Sequence, residues 1–433
     1  MTEPQQTERI LKSIDTSTPK VRGRRVTYAV IALALSSCLG LVAAEGILRF
    51  LLFSDSSLAR EYGTRLRRPN LYAGSQTDSD YHKLRYGWKD ADAAFNEDRL
   101  HPELGWLSRL IVPADLQHTD RSKLKGRRPF LMYGDSFTAC MGPSADCWQG
   151  LIRRSPLKDQ LSVVNYGVRG HGLGQIYLTL KGSVGLWLDR DPVVAVGILL
   201  DDDLDRVVLD FREAPKPVFD IEGGALTVDY PGAVSIESWL AEHPVEIRSY
   251  LWAFLDRGGW LLPKSWTSRA AARVAALRDR KRAISRLLLI EIRDELEERG
   301  LDYFFIIFEG PRDRRTRTKK QKSWQALFLP RTLDQLGIPW VSAEKALRED
   351  RTTTGKRGNA DYFIPDGRKG GRHYTAVGNQ AAWGAILNGL DARFDGTVER
   401  PMRRVGYSVV EGAKVGRTAQ EASLSVTDEE EGD

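Results

Sequence analysis

Phe130-Leu131-Met132-Tyr133-Gly134-Asp135-Ser136-Phe137-Thr138 is an apolar run that ends abruptly in Gly-Asp-Ser. Pro129 precedes the run, and a helix-like set of apolar residues follows it at Cys147, Trp148, Leu151 and Ile152. The pattern predicts a buried strand, a tight turn and a helix. Ligands of parallel α/β sheets bind beyond the carboxyl ends of the strands, so a hydroxyl at this turn would face the functional crevice.

Ser136 is therefore a candidate nucleophile. Backbone N–H groups at such a turn can stabilise an oxyanion, helped by the positive end of the following helix. Gly134 and Asp135 would support the turn. The alternative is that Asp135 and Ser136 are only turn and cap residues, which is a common role for both types.

Two further blocks follow, and the three together resemble the SGNH/GDSL hydrolase family. The second block is Asn165-Tyr166-Gly167-Val168-Arg169-Gly170-His171-Gly172, after the next predicted strand. The last is His373-Tyr374-Thr375-Ala376-Val377-Gly378-Asn379, a histidine ahead of a predicted helix. The resemblance implies a flavodoxin-like three-layer αβα sandwich and a serine esterase that needs no cofactor or metal.

The resemblance implies that His373 is the catalytic base. The family places its orienting aspartate three residues before the histidine, where this chain has Gly370. The nearest carboxylate is Asp366, and the glycine pair Gly370-Gly371 would let the loop fold back so that Asp366 still reaches the imidazole. Otherwise the chain carries a Ser-His dyad.

The family forms its oxyanion hole from the N–H of the serine, the N–H of a second-block glycine and an asparagine after the third strand. Ser136 and Gly170 fit the first two positions. The third falls in Leu200-Asp201-Asp202-Asp203-Leu204, which puts Asp202 where asparagine is expected. An ionised carboxylate only accepts hydrogen bonds, so Asp202 helps only if it is protonated or another donor replaces it. Loss of one such donor costs on the order of a hundredfold in rate.

The same acidic triplet also suggests a metal site, because hard cations bind carboxylate oxygens. Three adjacent residues on an extended backbone cannot all face one ion. We therefore predict no metal here.

Composition supports a folded chain with a large core. Of its 433 residues 42% are hydrophobic, and the net charge of +6 is spread over many short basic clusters. Such a distribution does not indicate a nucleic-acid partner. Short apolar runs alternate with helical patterns, which predicts parallel βαβ units. The predicted strands are 130–133, 161–165, 193–200, 303–308 and 338–342, and the predicted helices are 146–154, 173–188, 279–299, 322–336 and 375–390.

The segment 26–53 is predicted to be a transmembrane anchor. No charge occurs from Val26 to Ala44, and 19 residues just cross a hydrocarbon core of about 30 Å. The basic tail 1–25 favours a cytoplasmic N-terminus and an exported, periplasmic body. Alternatives are a signal peptide cleaved after Val42-Ala43-Ala44, lipid attachment at Cys38, and a buried soluble helix.

The remaining segments have weaker signals. Segment 54–125 is an aromatic-rich lead-in that contains His101-Pro102-Glu103-Leu104-Gly105-Trp106, and 126–395 is the hydrolase-like domain. An insertion at about 206–268 either shapes the substrate cleft or buries its aromatics in a small core of its own. Cys140 and Cys147 either form a disulfide that braces Ser136 or stay free. A basic loop follows the fourth predicted strand, and its cations are Arg312, Arg314, Arg315, Arg317, Lys319, Lys320 and Lys322. The segment 396–433 is predicted to be a disordered acidic tail.

Three functions fit these features. The first is a membrane-anchored serine esterase that acts on an acyl ester of an envelope glycan or lipid. The second is an O-acyltransferase on an envelope polysaccharide, with the aromatic insertion excluding water. The third is a non-catalytic glycan-binding protein with a degraded site. Asp202 and Gly370 support it, because they stand where the family has its asparagine and its orienting aspartate.

Overall fold

The computed structural model describes residues 19–74, 78–88, 99–232, 235–257, 264–311, 323–355, 359–365 and 372–392. Several predicted features lie outside these residues, namely most of the basic tail, Asp366 with Gly370, the basic loop 312–322 and the acidic tail. The chain forms two compact units. One comprises Met1–Ala73 with Glu246–Leu262, and the other Gly74–Val245 with Pro263–Asp433.

The elements are numbered along the chain. The strands are β1 (Leu100–His101), β2 (Gly105–Trp106), β3 (Arg128–Gly134), β4 (Leu161–Gly167), β5 (Val193–Leu199), β6 (Val218–Glu222), β7 (Ala225–Asp229), β8 (Asp302–Phe308) and β9 (Trp340–Ser342). The helices are α1 (Pro19–Phe53), α2 (Ser57–Gly63), α3 (Ser79–Gly87), α4 (Ser136–Ala139), α5 (Trp148–Ile152), α6 (Leu173–Ser183), α7 (Ile236–Glu242), α8 (Tyr250–Arg257), α9 (Lys264–Glu298), α10 (Trp324–Gln335), α11 (Ala343–Thr354), α12 (Asn359–Tyr362) and α13 (Ala376–Asp391).

The larger unit is built on a five-stranded parallel sheet. Its strand order is β4-β3-β5-β8-β9, which is the 2-1-3-4-5 order of the flavodoxin-like fold. All ladders in this sheet are parallel, and β3 pairs with β4 from Arg128↔Leu161 to Gly134↔Gly167. The predicted α/β class and its five parallel strands are confirmed.

Alternation along the strands divides the core into two layers. In β3, Leu131 and Tyr133 face a cluster that includes residues of α6, α9 and α10. Phe130 and Met132 face the opposite cluster, which includes residues of α5, α11 and α13. Because successive side chains of a strand point to opposite faces, a doubly covered sheet reads as a continuous apolar run. This is why strand positions were visible in the sequence.

Some helices differ from their predicted bounds. The helix predicted at 279–299 is the end of the longer α9, and that predicted at 173–188 stops at Ser183 and continues as a 3-10 helix, Val184–Arg190. Helix α11 was not predicted, because only Ala343 and Leu347 of its twelve residues are buried and the apolar period is weak. Ser342 caps it by accepting from the Lys345 N–H at 3.1 Å.

The insertion after β5 does not form a separate core. Phe219 of the antiparallel β6–β7 hairpin and Trp239 of α7 are buried in the main cluster on one face of the sheet. A Cβ on Gly174 would lie 2.2 Å from the Phe219 ring, so α6 must carry glycine there for the hairpin to pack. The later aromatic part, Tyr250–Arg257, belongs to the smaller unit. The alternative of a small core of the insertion's own therefore does not hold for Phe219.

The smaller unit is built on α1. Residues Val26–Phe53 are long and apolar enough to cross a membrane, and an 18-residue window within them has a mean hydropathy of 2.1. Arg67 closes the carboxyl end of this helix, since its guanidinium donates to the Leu51 and Ser54 carbonyls at 3.3 and 2.7 Å. Gly63 permits the approach, because a Cβ there would lie 2.2 Å from the Leu51 carbonyl oxygen.

Candidate active site

The site begins at the turn after β3. Asp135 caps α4, since its Oδ1 accepts from the Phe137 N–H at 2.8 Å. Ser136 is 7% exposed, and its Oγ lies 3.3 Å from Asp135 Oδ2, to which it donates. The hydroxyl thus lies in the turn that follows β3, and the aspartate that caps this turn is fully buried.

Three glycines let α4, the short helix that begins with Ser136, lie directly on the strand ends. A Cβ on Gly134 or Gly197 would meet Thr138 Oγ1 at 2.0 or 2.2 Å, and one on Gly167 would meet the Ala139 nitrogen at 2.3 Å. These glycines lie near the carboxyl ends of β3, β5 and β4. Their missing side chains make the space in which Thr138 packs, which fixes the position of Ser136.

The chain after β3 forms two short helices. Helix α4 has four residues, and the helix predicted at 146–154 is the separate α5, Trp148–Ile152. A helix of one turn has little macrodipole, so α4 would add little to the stabilisation of an oxyanion by local N–H groups. A disulfide joins Cys140, at the end of α4, to Cys147, at the start of α5, with Cα atoms 5.7 Å apart.

The second block forms a turn that is clamped from two sides. The Trp106 indole N–H donates to the Arg169 carbonyl at 2.8 Å, and His171 Nε2 lies 2.8 Å from the Trp106 carbonyl, to which it donates. Arg206 donates to the His171 carbonyl at 2.5 Å. Gly170 lies within this turn with φ +83°, a backbone conformation that favours glycine. The segment 101–106, which contains Trp106, therefore holds the Gly170 turn in place through these hydrogen bonds.

Arg206 links the turns that follow β3, β4 and β5. Its guanidinium lies 2.8 Å from Asp202, 2.7 Å from Asp203 and 3.6 Å from Asp135. Arg206 is 2% exposed, and Asp135 and Asp203 are fully buried. One cation therefore connects the turn after β3, the Gly170 turn and the turn after β5.

The electrostatics of this cluster favour the charged guanidinium. Burial opposes the charge, but the carboxylates of Asp203, Asp202 and Asp135 outweigh it and raise the pKa of Arg206. Burial raises the pKa of Asp135, although Arg206 and the Phe137 N–H act against it. Burial and the nearby Asp135 charge raise the pKa of Asp203 well above its usual value. Arg206 is thus the fixed positive charge among these groups.

The backbone of Asp201-Asp202-Asp203 is not extended, although the sequence analysis expected an extended conformation. Residues 200–204 form a turn, closed by the Asp203 N–H donating to the Leu199 carbonyl at 3.0 Å. This turn lets Asp202 and Asp203 face the same cation, which is the guanidinium of Arg206. The assumption behind the metal argument was wrong, and Asp202 is an ion-paired carboxylate.

His373 lies beside the turn that carries Ser136. Its ring centroid is 5.1 Å from that of Phe137, and its positive form acts to lower the pKa of Asp135. Its backbone carbonyl accepts from the Ile364 N–H at 2.8 Å. Thr375, and not His373, caps α13 by accepting from the Gly378 N–H at 3.2 Å.

Aromatic packing docks the histidine loop on the sheet edge. The Tyr374 ring packs edge-on against Phe137, with centroids 4.9 Å apart, and its hydroxyl donates to the Glu309 carbonyl at 3.1 Å. Asn165 braces the other side, because its Nδ2 donates to the Thr138 carbonyl at 2.8 Å. The loop that carries His373 and Tyr374 thus packs on Phe137, the residue that follows Ser136 in α4.

Sequence reasoning missed Arg206, Thr138 and the clamp made by Trp106. A signal existed for Arg206, which follows Asp203 and Asp202 by three and four residues, the spacing of helical ion pairs. No local signal connects Trp106 with His171, because 65 residues separate them.

No family model and no curated protein matches the chain. Among solved structures, the chain is similar to the acetyl xylan esterase AlAXEase, with 10% identity and a TM-score of 0.34 over 60% of this chain and 98% of that one. It is also similar to TesA, with 12% identity and a TM-score of 0.32 over 61% and 99%. For the lipase/acylhydrolase from Enterococcus faecalis the identity is 12% and the TM-score 0.33 over 61% and 96%. Identities and TM-scores this low establish neither a family nor an activity for this chain.

Proposed function

We propose that this protein is a membrane-anchored, SGNH-like serine esterase. One observation carries the proposal: the Ser136 turn follows the first strand of a 2-1-3-4-5 sheet, and the Asp202 turn follows the third. Ligands of such sheets bind at the switch point between those two strands. A hydroxyl, a nearby imidazole and a buried guanidinium at that edge supply the parts of an acyl-transfer site.

In the proposed reaction, Ser136 Oγ attacks the carbonyl carbon of an ester while its proton passes to the imidazole of His373. The tetrahedral intermediate expels the alcohol, which takes the proton from His373. Water then attacks the acyl-enzyme with His373 again as base, and the acid is released as His373 returns that proton to Ser136 Oγ. The N–H groups of Ser136 and Gly170 are the proposed oxyanion donors. Asp366 is the proposed orienting residue.

Arg206 removes much of the objection that Asp202 raised. A lone carboxylate at the asparagine position would repel the oxyanion, whereas a carboxylate 2.8 Å from a guanidinium is largely neutralised. The raised pKa values of Asp135 and Asp203 favour their neutral forms, so we infer that the Arg206–Asp202 pair gives the site a low net charge in place of the missing neutral donor. The expected rate lies below that of a site with asparagine, because a carboxylate cannot donate.

The proposed location is the outer face of a membrane. The apolar helix Val26–Phe53 supports an anchor, and the basic tail before it supports a cytoplasmic N-terminus. The Cys140–Cys147 disulfide supports an oxidising compartment for the catalytic unit. An acyl ester on an envelope glycan or lipid is the proposed substrate class.

Hydrolysis of p-nitrophenyl acetate by the purified full chain tests the esterase. Ser136→Ala and His373→Ala are each expected to lower the rate by at least about a hundredfold. Ser144→Ala and His243→Ala are the controls, because both residues are exposed and lie in the same unit. No turnover by folded wild type, or equal loss in the controls, would contradict the proposal.

A further inference from the structure

Glu45 is a charged residue inside the apolar segment, and it binds the start of α8. Its carboxylate accepts from the Tyr250 and Leu251 N–H groups at 3.0 and 2.8 Å. It also accepts from the Ser249 hydroxyl at 3.0 Å. These groups include the unsatisfied N–H donors of a helix start, so Glu45 caps a helix that begins 205 residues later in the chain.

Arg49 strengthens the same junction. Its guanidinium lies 2.6 Å from Glu45, donates to the Arg248 carbonyl at 2.8 Å and stands 5.1 Å from the centre of the Tyr250 ring. The Tyr250 ring also packs edge-on against Phe53, with centroids 5.1 Å apart. Two turns of α1 thus hold the first residues of α8.

The position of Glu45 along α1 gives its depth in a bilayer. A hydrocarbon core of about 30 Å takes about twenty helical residues at 1.5 Å each. Counted from Val26, the first residue of the apolar segment, the core ends at about residue 45. Helix α8 therefore starts where hydrocarbon gives way to head groups.

The composition of α8 suits that depth. Its first six residues, Tyr250-Leu251-Trp252-Ala253-Phe254-Leu255, are apolar or aromatic, and Asp256 and Arg257 follow. Trp252 is 49% exposed and Phe254 37%, and α1 exposes Phe50 and Phe53 beside them in the same unit. Tryptophan and other amphipathic aromatics concentrate at membrane interfaces.

We propose that α8 is an interfacial helix that inserts Trp252 into the boundary between the head groups and acyl chains of the lipid bilayer. Glu45 and Arg49 fix it to the anchor. This inference rests on the proposed membrane anchor. The lipid surface is the occupant because the helix is fastened to the anchor at the level where the hydrocarbon ends. The insertion after β5 thereby gives the chain a second membrane contact.

Spin labelling of the full chain in phosphatidylethanolamine–phosphatidylglycerol liposomes tests the inference. Three positions are labelled in separate samples: the native Cys38, Trp252→Cys and Tyr230→Cys, the last two with Cys38→Ser. Cys38 reports the anchor, and Tyr230 is an exposed control in the other unit. The ratio of collision with oxygen to collision with a water-soluble nickel chelate is measured at each label.

The ratio at position 252 is expected to be several-fold higher than at 230 and lower than at Cys38. A ratio at position 252 as low as that of a label in water, with a high ratio at Cys38, would overturn the interfacial helix and leave the anchor intact. Low ratios at both positions would overturn the anchor and the inference together.

The tether is tested in the same label at 252. Glu45→Ala removes three acceptor contacts and is expected to increase the mobility of the nitroxide. Asp55→Ala, an exposed acidic residue of the same unit, is the matched control and is expected to leave the mobility unchanged. An unchanged spectrum in Glu45→Ala would overturn the role of Glu45.

Discussion

At the scale of single residues, the charge at the candidate site depends on Arg206. Three carboxylates would otherwise stand together at the strand ends, and two of them, Asp135 and Asp203, are fully buried. Removing one partner of a buried ion pair costs about 3–5 kcal/mol, because the other charge is left in a poor solvent. Arg206 therefore both stabilises the turns and sets the field that an oxyanion would meet.

Asp202→Asn is expected to raise the esterase rate about tenfold or more. The amide can donate to the oxyanion, and Arg206 keeps Asp203 and Asp135 as partners. Arg206→Met is expected to lower the urea midpoint and abolish turnover, and the double variant should recover part of the lost stability. Turnover that stays equal in Asp202→Asn would show that Asp202 does not face the oxyanion.

His171 predicts loss of stability in acid. Burial lowers its pKa from 6.5 to about 3. Between these values the unfolded chain binds more protons than the folded one, so the free energy of unfolding falls as the pH falls from about 6.5 towards 3. The contribution reaches about 1.4 kcal/mol per pH unit.

Urea unfolding of wild type and His171→Gln over this pH range measures the effect. Glutamine keeps a donor for the Trp106 carbonyl but does not titrate, so its stability should depend less on pH. The buried Asp135 and Asp203 act with the opposite sign, because their raised pKa values favour proton binding in the folded state. They are present in both chains, so the difference reports His171. Parallel curves would contradict the prediction.

At the scale of elements, the site is made by how closely α4 approaches the sheet. Gly134 and Gly197 stand opposite Thr138, and Gly167 stands opposite Ala139. Each of these three strands thus has a glycine near its carboxyl end, and the absence of a side chain there lets α4 pack against the sheet. This arrangement converts a strand end into a fixed position for a hydroxyl.

Gly197→Ala is expected to destabilise the fold by about 1–3 kcal/mol and to slow turnover, because its Cβ would overlap Thr138 and Phe308. Adding Thr138→Ala should restore part of the stability. Gly384→Ala is the control: no atom lies within 4 Å of its Cβ, and alanine in mid-helix should gain about 0.5–1 kcal/mol. Thermal unfolding measures all four chains, and equal effects of both single changes would contradict the packing argument.

Local pattern was enough for the sheet and for the main candidates. Buried strands are continuous apolar runs, and Gly-Asp-Ser after such a run marks the turn that holds Ser136. Contacts between distant segments leave no such trace. Trp106 with His171, and Glu45 with Tyr250, are joined only by the tertiary fold. The acidic triplet was misread because its backbone conformation was assumed rather than known.

At the scale of the whole molecule, the apolar segment and α8, which comes from the insertion after β5, belong to the same unit. The segment Val26–Phe53 carries Glu45 and Arg49 near its carboxyl end, where the two side chains form an ion pair and hydrogen bond to the backbone at the start of α8. The charges that limited the apolar run in the sequence are thus used to attach another element. An uncleaved anchor is expected, because removal of residues up to Ala44 would separate this junction from its span.

Reporter fusions in a bacterial host test the orientation. Alkaline phosphatase fused after residue 433 is expected to be active and a green fluorescent protein fusion dark, because only the former folds after export. Deletion of residues 26–44 should reverse both signals and move the protein from the membrane fraction. A fluorescent fusion of the intact chain would contradict the proposed topology.

The proposed esterase requires Ser136 to be an activated nucleophile. The most direct test is peptide mass spectrometry of the full chain after treatment with a fluorophosphonate, beside Ser136→Ala and His373→Ala. We predict an adduct on the peptide that contains Ser136 in wild type, none in Ser136→Ala, and strongly reduced labelling in His373→Ala. An unmodified Ser136 peptide in wild type that keeps its Cys140–Cys147 disulfide and unfolds cooperatively would contradict the claim.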